Sequence, residues 1–428
     1  MVHNFYYKCR ICNTKFRLRW QASDFDTNVI LICPKCNTKI NGKIKVESEK
    51  IKESFSNLEN YVPDKDNRYA DYVAEISSEF LCKKMKRDVG VNELTPFMRN
   101  SDIIFKREKI SLLIDFADKV KKYANDLITA YDLYNNLQYV YLGTKLKEDT
   151  NPFLLEIKKS IKKYRFVNQI DYLMGIHQYS VVLLTKSYTN NTFDRIRNAS
   201  DGVIEILKKH HNSLLDFVKH LNDENYFYKI NVKFAQIISD FLFNYRSFLP
   251  LYIKECKINE SLEEFGITTL DYQRLENFYK KAFEFLCDYM PIIIGLNNIV
   301  ERNDFHNFAT GKIDFKTKMN EFNSKYQRFE QCIIKGEKFS SDFADCLDNI
   351  LRNSEAHFST EYDALTQMIT FKNVKRGHEK ICSKYLVEFG IDVIEIFQKC
   401  IILWEYAYQL NKIYLIKVEK QKLSYKIN

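Results

Sequence analysis

The chain has 428 residues, enough for two or three domains with filled cores, and a formal net charge of +9. With 11 Gly and 6 Pro against 32 Phe and 28 Tyr, turns should be scarce and helices long, so the bulk is expected to be all-α. No run of about 18 apolar residues is uninterrupted and the first residues lack a signal-peptide core, so we expect a soluble, cytoplasmic protein with no membrane partner.

Residues 1–48 carry the first signal. Cys9-x2-Cys12 and Cys33-x2-Cys36 are twenty residues apart, each within the same phrase, CRICNTKF and CPKCNTKI. Each phrase makes a knuckle that turns two sulfurs toward one centre, with Asn13 or Asn37 taking the turn conformation that Gly often fills. Phe16–Trp20 and Val29–Ile32 read as strands. The arrangement resembles a zinc ribbon, with one structural Zn²⁺ per chain held by Cys9, Cys12, Cys33 and Cys36. A redox CxxC pair fits poorly, because no thioredoxin-like βαβ pattern accompanies it. So small a module has little core of its own, and the metal should hold it together. Residues 1–46 carry nine Lys and Arg against Asp24 and Asp26, which suits a polyanion or simply a soluble surface. Arg17, Arg19 and Trp20 suit RNA backbone and base stacking, although Trp20 fits core packing equally well. The other seven cysteines (Cys82, Cys256, Cys287, Cys332, Cys346, Cys382, Cys400) are scattered singly and should pack as small apolar groups.

Residues 46–66 read as a charged connector, and from about Tyr69 to Ile258 the pattern is helical throughout. Apolar faces recur at Ile110–Tyr123, Ile157–Tyr164, Val203–Leu221 and Val232–Phe248, with turns at Asn151-Pro152 and Thr189–Thr192. His210 and His211 lack an acidic or Cys partner at helical spacing and read as surface or packing residues. The organisation expected is a ribbon at 1–48, a helical sensor or scaffold at 49–265, and a helical domain at 266–428.

In that last part a helix begins near Ile267, with Thr268 or Thr269 as N-cap, and runs to Pro291. Arg302 and His306 in ERNDFHNF are four apart and read as helix-end chemistry. A helix over Lys316–Ile334 follows, and one from Phe343 delivers Arg352. Arg352 and His357 then stand five residues apart in LRNSEAHFSTEYDALTQMITF, with a turn at Asp363 and Ala364 and a strand at Gln367–Phe371. Arg is shaped to clamp a phosphate, and His gives and takes protons near neutral pH. A long helix is expected from Glu379 to Ile416, with an apolar face wide enough for a dimer surface.

The string around Arg352, Asn353 and His357 resembles the Arg-Asn-x3-His signature of the HEPN superfamily, over roughly the last third of the chain. The resemblance implies a four- or five-helix bundle, here with a short β-hairpin insert, and an endoribonuclease acting on tRNA or single-stranded RNA. His357 would be general acid or base, Arg352 the phosphate clamp, and Asn353 an orienting group. Positions five apart on a helix diverge by about 140°, and one motif supplies a single proton-handling group. Two motifs meeting at a homodimer interface, the family arrangement, ease both problems. No acidic cluster at metal-binding spacing flanks the motif, so no catalytic metal is invoked and products should end in 2′,3′-cyclic phosphate. By analogy the role is that of an abortive-infection defence toxin, with a phage-derived or antitoxin protein as a further partner. The competing readings are a non-catalytic nucleic-acid- or nucleotide-binding regulator and, less well supported, a DNA-binding regulator without a helix-turn-helix.

Overall fold

The computed structural model describes residues 2–23, 26–47, 50–63, 70–90, 93–101, 108–148, 166–185, 192–254, 261–322, 327–339, 343, 360–375 and 378–424. Helix predominates behind an N-terminal β region, as the composition leads one to expect. That region contains β1 (Val2–Cys9), β2 (Lys15–Gln21), β3 (Thr27–Ile32), β4 (Lys39–Glu47), β5 (Lys50–Phe55), β6 (Leu58–Asn60), β7 (Tyr72–Ile76), β8 (Cys82–Lys83) and β9 (Lys86–Arg87). The stretch read as a charged connector therefore carries β5 and β6, and the helical reading from Tyr69 fails over β7–β9. These strands are too short for periodicity to reveal, and tertiary pairing fixes them.

The helices are α1 (Pro96–Arg99), α2 (Glu108–Asn135), α3 (Tyr139–Glu148), α4 (Gln169–Leu184), α5 (Thr192–Lys209), α6 (His211–Asp223), α7 (Tyr226–Lys254), α8 (Tyr272–Arg302), α9 (Phe315–Asn320), α10 (Gln327–Cys332) and α11 (Leu386–Ile413). Short strands β10 (Phe265–Gly266), β11 (Asn307–Phe308) and β12 (Gly311–Lys312) lie among them, and β13 (Thr360–Asp363), β14 (Met368–Lys375) and β15 (His378–Tyr385) form a meander before α11. The expected turn at Asp363–Ala364 and strand from Gln367 correspond to the β13–β14 hairpin. The last helix starts at Leu386, not Glu379, because residues 378–385 pair with β14. Pro291 sits inside α8 instead of ending it, where buried Ile292, Ile293 and Ile294 offset the lost backbone bond. The expected helix over Lys316–Ile334 is two short helices, α9 and α10.

The chain forms two compact units, each built from three stretches. The first takes Met1–Val120, Phe243–Phe278 and Asn349–Val393. Its five-stranded sheet runs β6-β1-β2-β7-β9, and β3-β4-β5 form a second, antiparallel sheet. β2 lies between antiparallel β1 and parallel β7, in register from Phe16 against Tyr72 to Trp20 against Ile76. Phe16, Leu18 and Trp20 are fully buried in one cluster with Cys9, Cys33, Ile40 and Ile44. Gly42 faces Phe55 across β4 and β5, where a Cβ would stand 2.2 Å from the ring, so the aromatic can pack flat only over glycine.

The second unit takes Lys121–Leu242, Tyr279–Asp348 and Ile394–Asn428. Its core includes Phe241 stacked on Phe397 at 3.8 Å and Phe234 on Trp404 at 4.6 Å. Of the single cysteines, Cys82, Cys287, Cys332 and Cys400 are buried as expected and Cys382 is half-buried, while Cys256 and Cys346 lie outside the described residues. Helix α8 is long and apolar enough to cross a membrane by length and composition, but 83% of its apolar window is buried in the protein.

Candidate metal centre and adjoining cavity

Each knuckle is built by the same local bonds. The amide of Cys9 donates to the Thr14 carbonyl (2.9 Å) and that of Cys33 to Thr38 (3.0 Å). Asn13 and Asn37 donate back to the Cys9 and Cys33 carbonyls, with φ of 59° and 56°. Asparagine tolerates this left-handed conformation, which is why both CNTK phrases close alike. The two knuckles bring Cys9, Cys12, Cys33 and Cys36 together, with all four sulfurs within 4.8 Å of one another. The close pairs cross between knuckles: Cys9 to Cys36 is 3.7 Å and Cys12 to Cys33 is 3.5 Å. A metal–sulfur bond of about 2.3 Å in a regular tetrahedron gives a sulfur–sulfur edge of about 3.8 Å, so the cluster fits a structural metal ion.

The thiols differ in how readily they ionise. Burial pushes Cys33 up to about 12 and raises Cys9 as well. The Thr38 hydroxyl, 3.1 Å from the Cys36 sulfur, draws that thiol down to about 6. At Cys12 burial acts upward, but bonds from the Thr14 side chain and backbone outweigh it and leave the thiol below its usual value. A cation held by the four sulfurs would stabilise all of them as thiolates, the two buried ones included.

The strand between the knuckles presents none of Arg17, Arg19 and Trp20 to solvent. Trp20 is fully buried and donates from its indole to Thr27 at 3.2 Å. Arg17 grips Asp88 through two bonds of 2.7 and 2.6 Å, with both side chains almost wholly buried. Arg19 donates to the Glu93 carbonyl and lies 3.7 Å from Glu75, whose carboxylate is also held by Arg99. The RNA-contact reading of Arg17, Arg19 and Trp20 is therefore corrected, because Asp88, Glu93 and Glu75 engage the two arginines and the hydrophobic cluster encloses Trp20.

Beside the metal cluster lies a cavity of about 630 Å³, within the range of about 300–1,000 Å³ typical of small-molecule sites. Its walls come from four stretches: β3 with Asn37 and Lys39, β7 to Met85, residues 266–276, and the β13–β14 hairpin. Side-chain contacts help to fasten them. Lys39 pairs with Asp271 at 2.8 Å, and the Gln367 amide accepts from the Ile267 N–H (2.9 Å) while donating to its carbonyl (2.8 Å). Gln367 adopts a left-handed turn (φ 55°), and its carbonyl accepts from Leu386 at the start of α11. Tyr272 stacks on Tyr362 at 5.2 Å to form an aromatic wall, and Thr360 presents a buried hydroxyl without a hydrogen-bond partner among the described residues.

Arg352, Asn353 and His357 lie outside the described residues, as does the helix expected to deliver Arg352. The described chain resumes at Thr360, three residues after His357, and Thr360 is already part of the cavity wall. Arg302 and His306 do helix-end work. The Arg302 guanidinium bonds Glu337, Asn298 and the Asn307 carbonyl, and His306 accepts from the Phe315 N–H. His210 is a half-buried partner of Asn303.

Sequence reasoning missed one pair in the second unit. His177 lies 2.6 Å from Glu405, stacked on Tyr408 at 3.5 Å, and Gln409 holds the other carboxylate oxygen at 2.7 Å. Burial acts to raise the Glu405 carboxyl, yet His177, Gln409 and Lys412 hold it below its ordinary value. The partners are 228 residues apart in sequence, so no local spacing announces them.

Compared with known proteins, the chain matches no family model, no curated protein and no solved structure.

Proposed function

We propose that the chain is an endoribonuclease working without a catalytic metal, with His357 moving protons, Arg352 clamping the scissile phosphate and Asn353 orienting the motif or the substrate. The observation that carries this reading is the unbroken string from Leu351 to Phe371, whose last part folds as a hairpin on a cavity wall. One chain offers one histidine at this motif, and strand cleavage by 2′-OH attack needs both a base and an acid. A twofold homodimer that joins two motifs meets that need and leaves a 2′,3′-cyclic phosphate. The substrate is tRNA or single-stranded RNA. The analogy to abortive-infection toxins further implies a phage-derived or antitoxin protein that controls the activity. Zinc is the ion we assign to Cys9, Cys12, Cys33 and Cys36, one per chain, since four thiolates at tetrahedral spacing favour it and its role there is structural.

The test is cleavage of end-labelled tRNA and single-stranded RNA by the full chain, beside His357→Ala and Arg352→Ala, with brief EDTA treatment and bound zinc assayed afterwards. Cutting that persists in EDTA and disappears in His357→Ala supports the proposal. Cutting by the wild type and His357→Ala alike refutes it.

The cavity of about 630 Å³ favours a second reading, a non-catalytic regulator that binds a nucleotide. Saturable nucleotide binding by a dimer that cuts no RNA would favour it.

A further inference from the structure

The second unit contains a cavity of its own, about 410 Å³, with an unusual lining. Five asparagines face it, Asn135, Asn222, Asn225, Asn231 and Asn411, together with Gln169. Tyr134, Tyr139, Tyr228 and Tyr414 supply the aromatic surface. Among the described lining residues Glu419 alone is charged at neutral pH, and none is Lys, Arg or His. Part of this polarity is already used. Asn222 donates to the Tyr414 hydroxyl, which donates to Glu419, and Asn231 accepts from Trp404. Part is not. The Tyr134 hydroxyl and Asn135 Oδ1 are buried and make no hydrogen bond of ordinary geometry among the described residues, although the Gln169 amide lies beside Tyr134. Tyr134 itself is 6% exposed. An orphaned polar atom of this kind normally has a partner, and a ligand is one way to supply it.

The mouth is as telling as the interior. Helix α2 ends in a Schellman cap, in which Gln138 N–H donates to the Leu133 carbonyl and Leu137 N–H to that of Tyr134. The left-handed position of that cap, usually glycine, is Leu137 at φ 60°. Its side chain is 67% exposed and lines the cavity, as does Tyr228 at 55%. A leucine held in a costly conformation and left in solvent serves neither the helix end nor the core, but it does give the cavity an apolar lip.

We infer that this cavity binds a nucleobase, presented by a nucleoside or by an unstacked residue of single-stranded RNA. Carboxamide side chains offer a donor and an acceptor in one plane, which matches the edges of a base. Tyrosine rings and the Leu137 lip offer faces for its planar surface. The absence of a cation among the lining residues, with Glu419 present, disfavours a phosphate inside the cavity. This inference stands apart from the nuclease reading, since none of its residues lies near Arg352 or His357 in the chain.

The experiment is calorimetric titration of the full chain with adenosine, guanosine, uridine and cytidine, then with adenosine 5′-monophosphate, D-ribose and a single-stranded oligoribonucleotide. At least one nucleoside or the oligonucleotide should bind saturably, and comparison of those two arms identifies which source presents the base. Tyr134→Phe should weaken binding about tenfold, the loss of one hydrogen bond, with a Tm equal to or above that of the wild type. Leu137→Gly should also weaken binding and should stabilise the helix end. Binding unchanged in both variants, ribose binding as well as the nucleoside, the monophosphate binding more tightly than its nucleoside, or no binding at all would each overturn the inference.

Discussion

Replacing Gln367 by alanine removes two hydrogen bonds at once and leaves both backbone groups of Ile267 without their partner. Ile267 is 1% exposed, so neither group regains full hydration, although the adjoining cavity admits some water. At about 1–2 kcal/mol for each stranded group, the local cost is about 2–4 kcal/mol. The readout is amide hydrogen exchange of the peptide spanning residues 265–270, which reports local opening in a protein too large for a single two-state transition. Exchange should quicken about 30- to 700-fold, at about tenfold for each 1.4 kcal/mol. Gly266 supplies an internal control. A Cβ there would meet the Gln367 amide oxygen at 2.3 Å, so Gly266→Ala must evict the amide from its bonds. The double variant should therefore exchange hardly faster than Gln367→Ala alone. Additive effects of the two substitutions would refute the claim that this amide fastens the hairpin to the cavity wall.

Three further outcomes are expected. Chelation or Cys33→Ser should release one metal ion per chain and loosen both knuckles, while the far-ultraviolet helical signal persists because the helices lie outside the knuckles; loss of most helicity would contradict this. Arg17→Ala leaves the buried Asp88 carboxylate with the Ala70 and Gly90 amides but without its cation, and should destabilise the first unit by about 3–5 kcal/mol, as measured by exchange in β7. Because the folded Glu405 carboxyl lies below its ordinary value, its contribution to stability is complete above about pH 4.3 and fades as pH falls through the depressed value. Glu405→Gln should accordingly lower Tm at pH 7 and flatten its fall below pH 4, and an acid limb identical to that of the wild type would count against the pairing.

The metal knuckles were legible because everything that makes them is local. Four cysteines, two asparagines able to take positive φ, and two threonines fall within two repeated phrases of the chain. The hairpin after Thr360 was legible for the same reason, with Asp363 capping its own turn through Leu365 and Thr366. The amphipathic faces likewise announced helices α2, α7, α8 and α11, since a period of 3.6 needs no partner to be recognised.

Partners remote in sequence decided the rest. Arg17 and Arg19 share what reads as the wet face of a strand, and Asp88, Glu75 and Glu93, remote in sequence, bury that face. Residues 378–385 became strand instead of helix because β14 offered a ladder. The cavity beside the metal cluster draws on stretches between Ile30 and Gln367, and the His177–Glu405 pair joins helices α4 and α11. A sequence by itself specifies torsional preference and which surfaces seek burial. Which distant surface they meet, and therefore which charges are buried and where a cavity remains, depends on packing between segments that only the folded chain brings together.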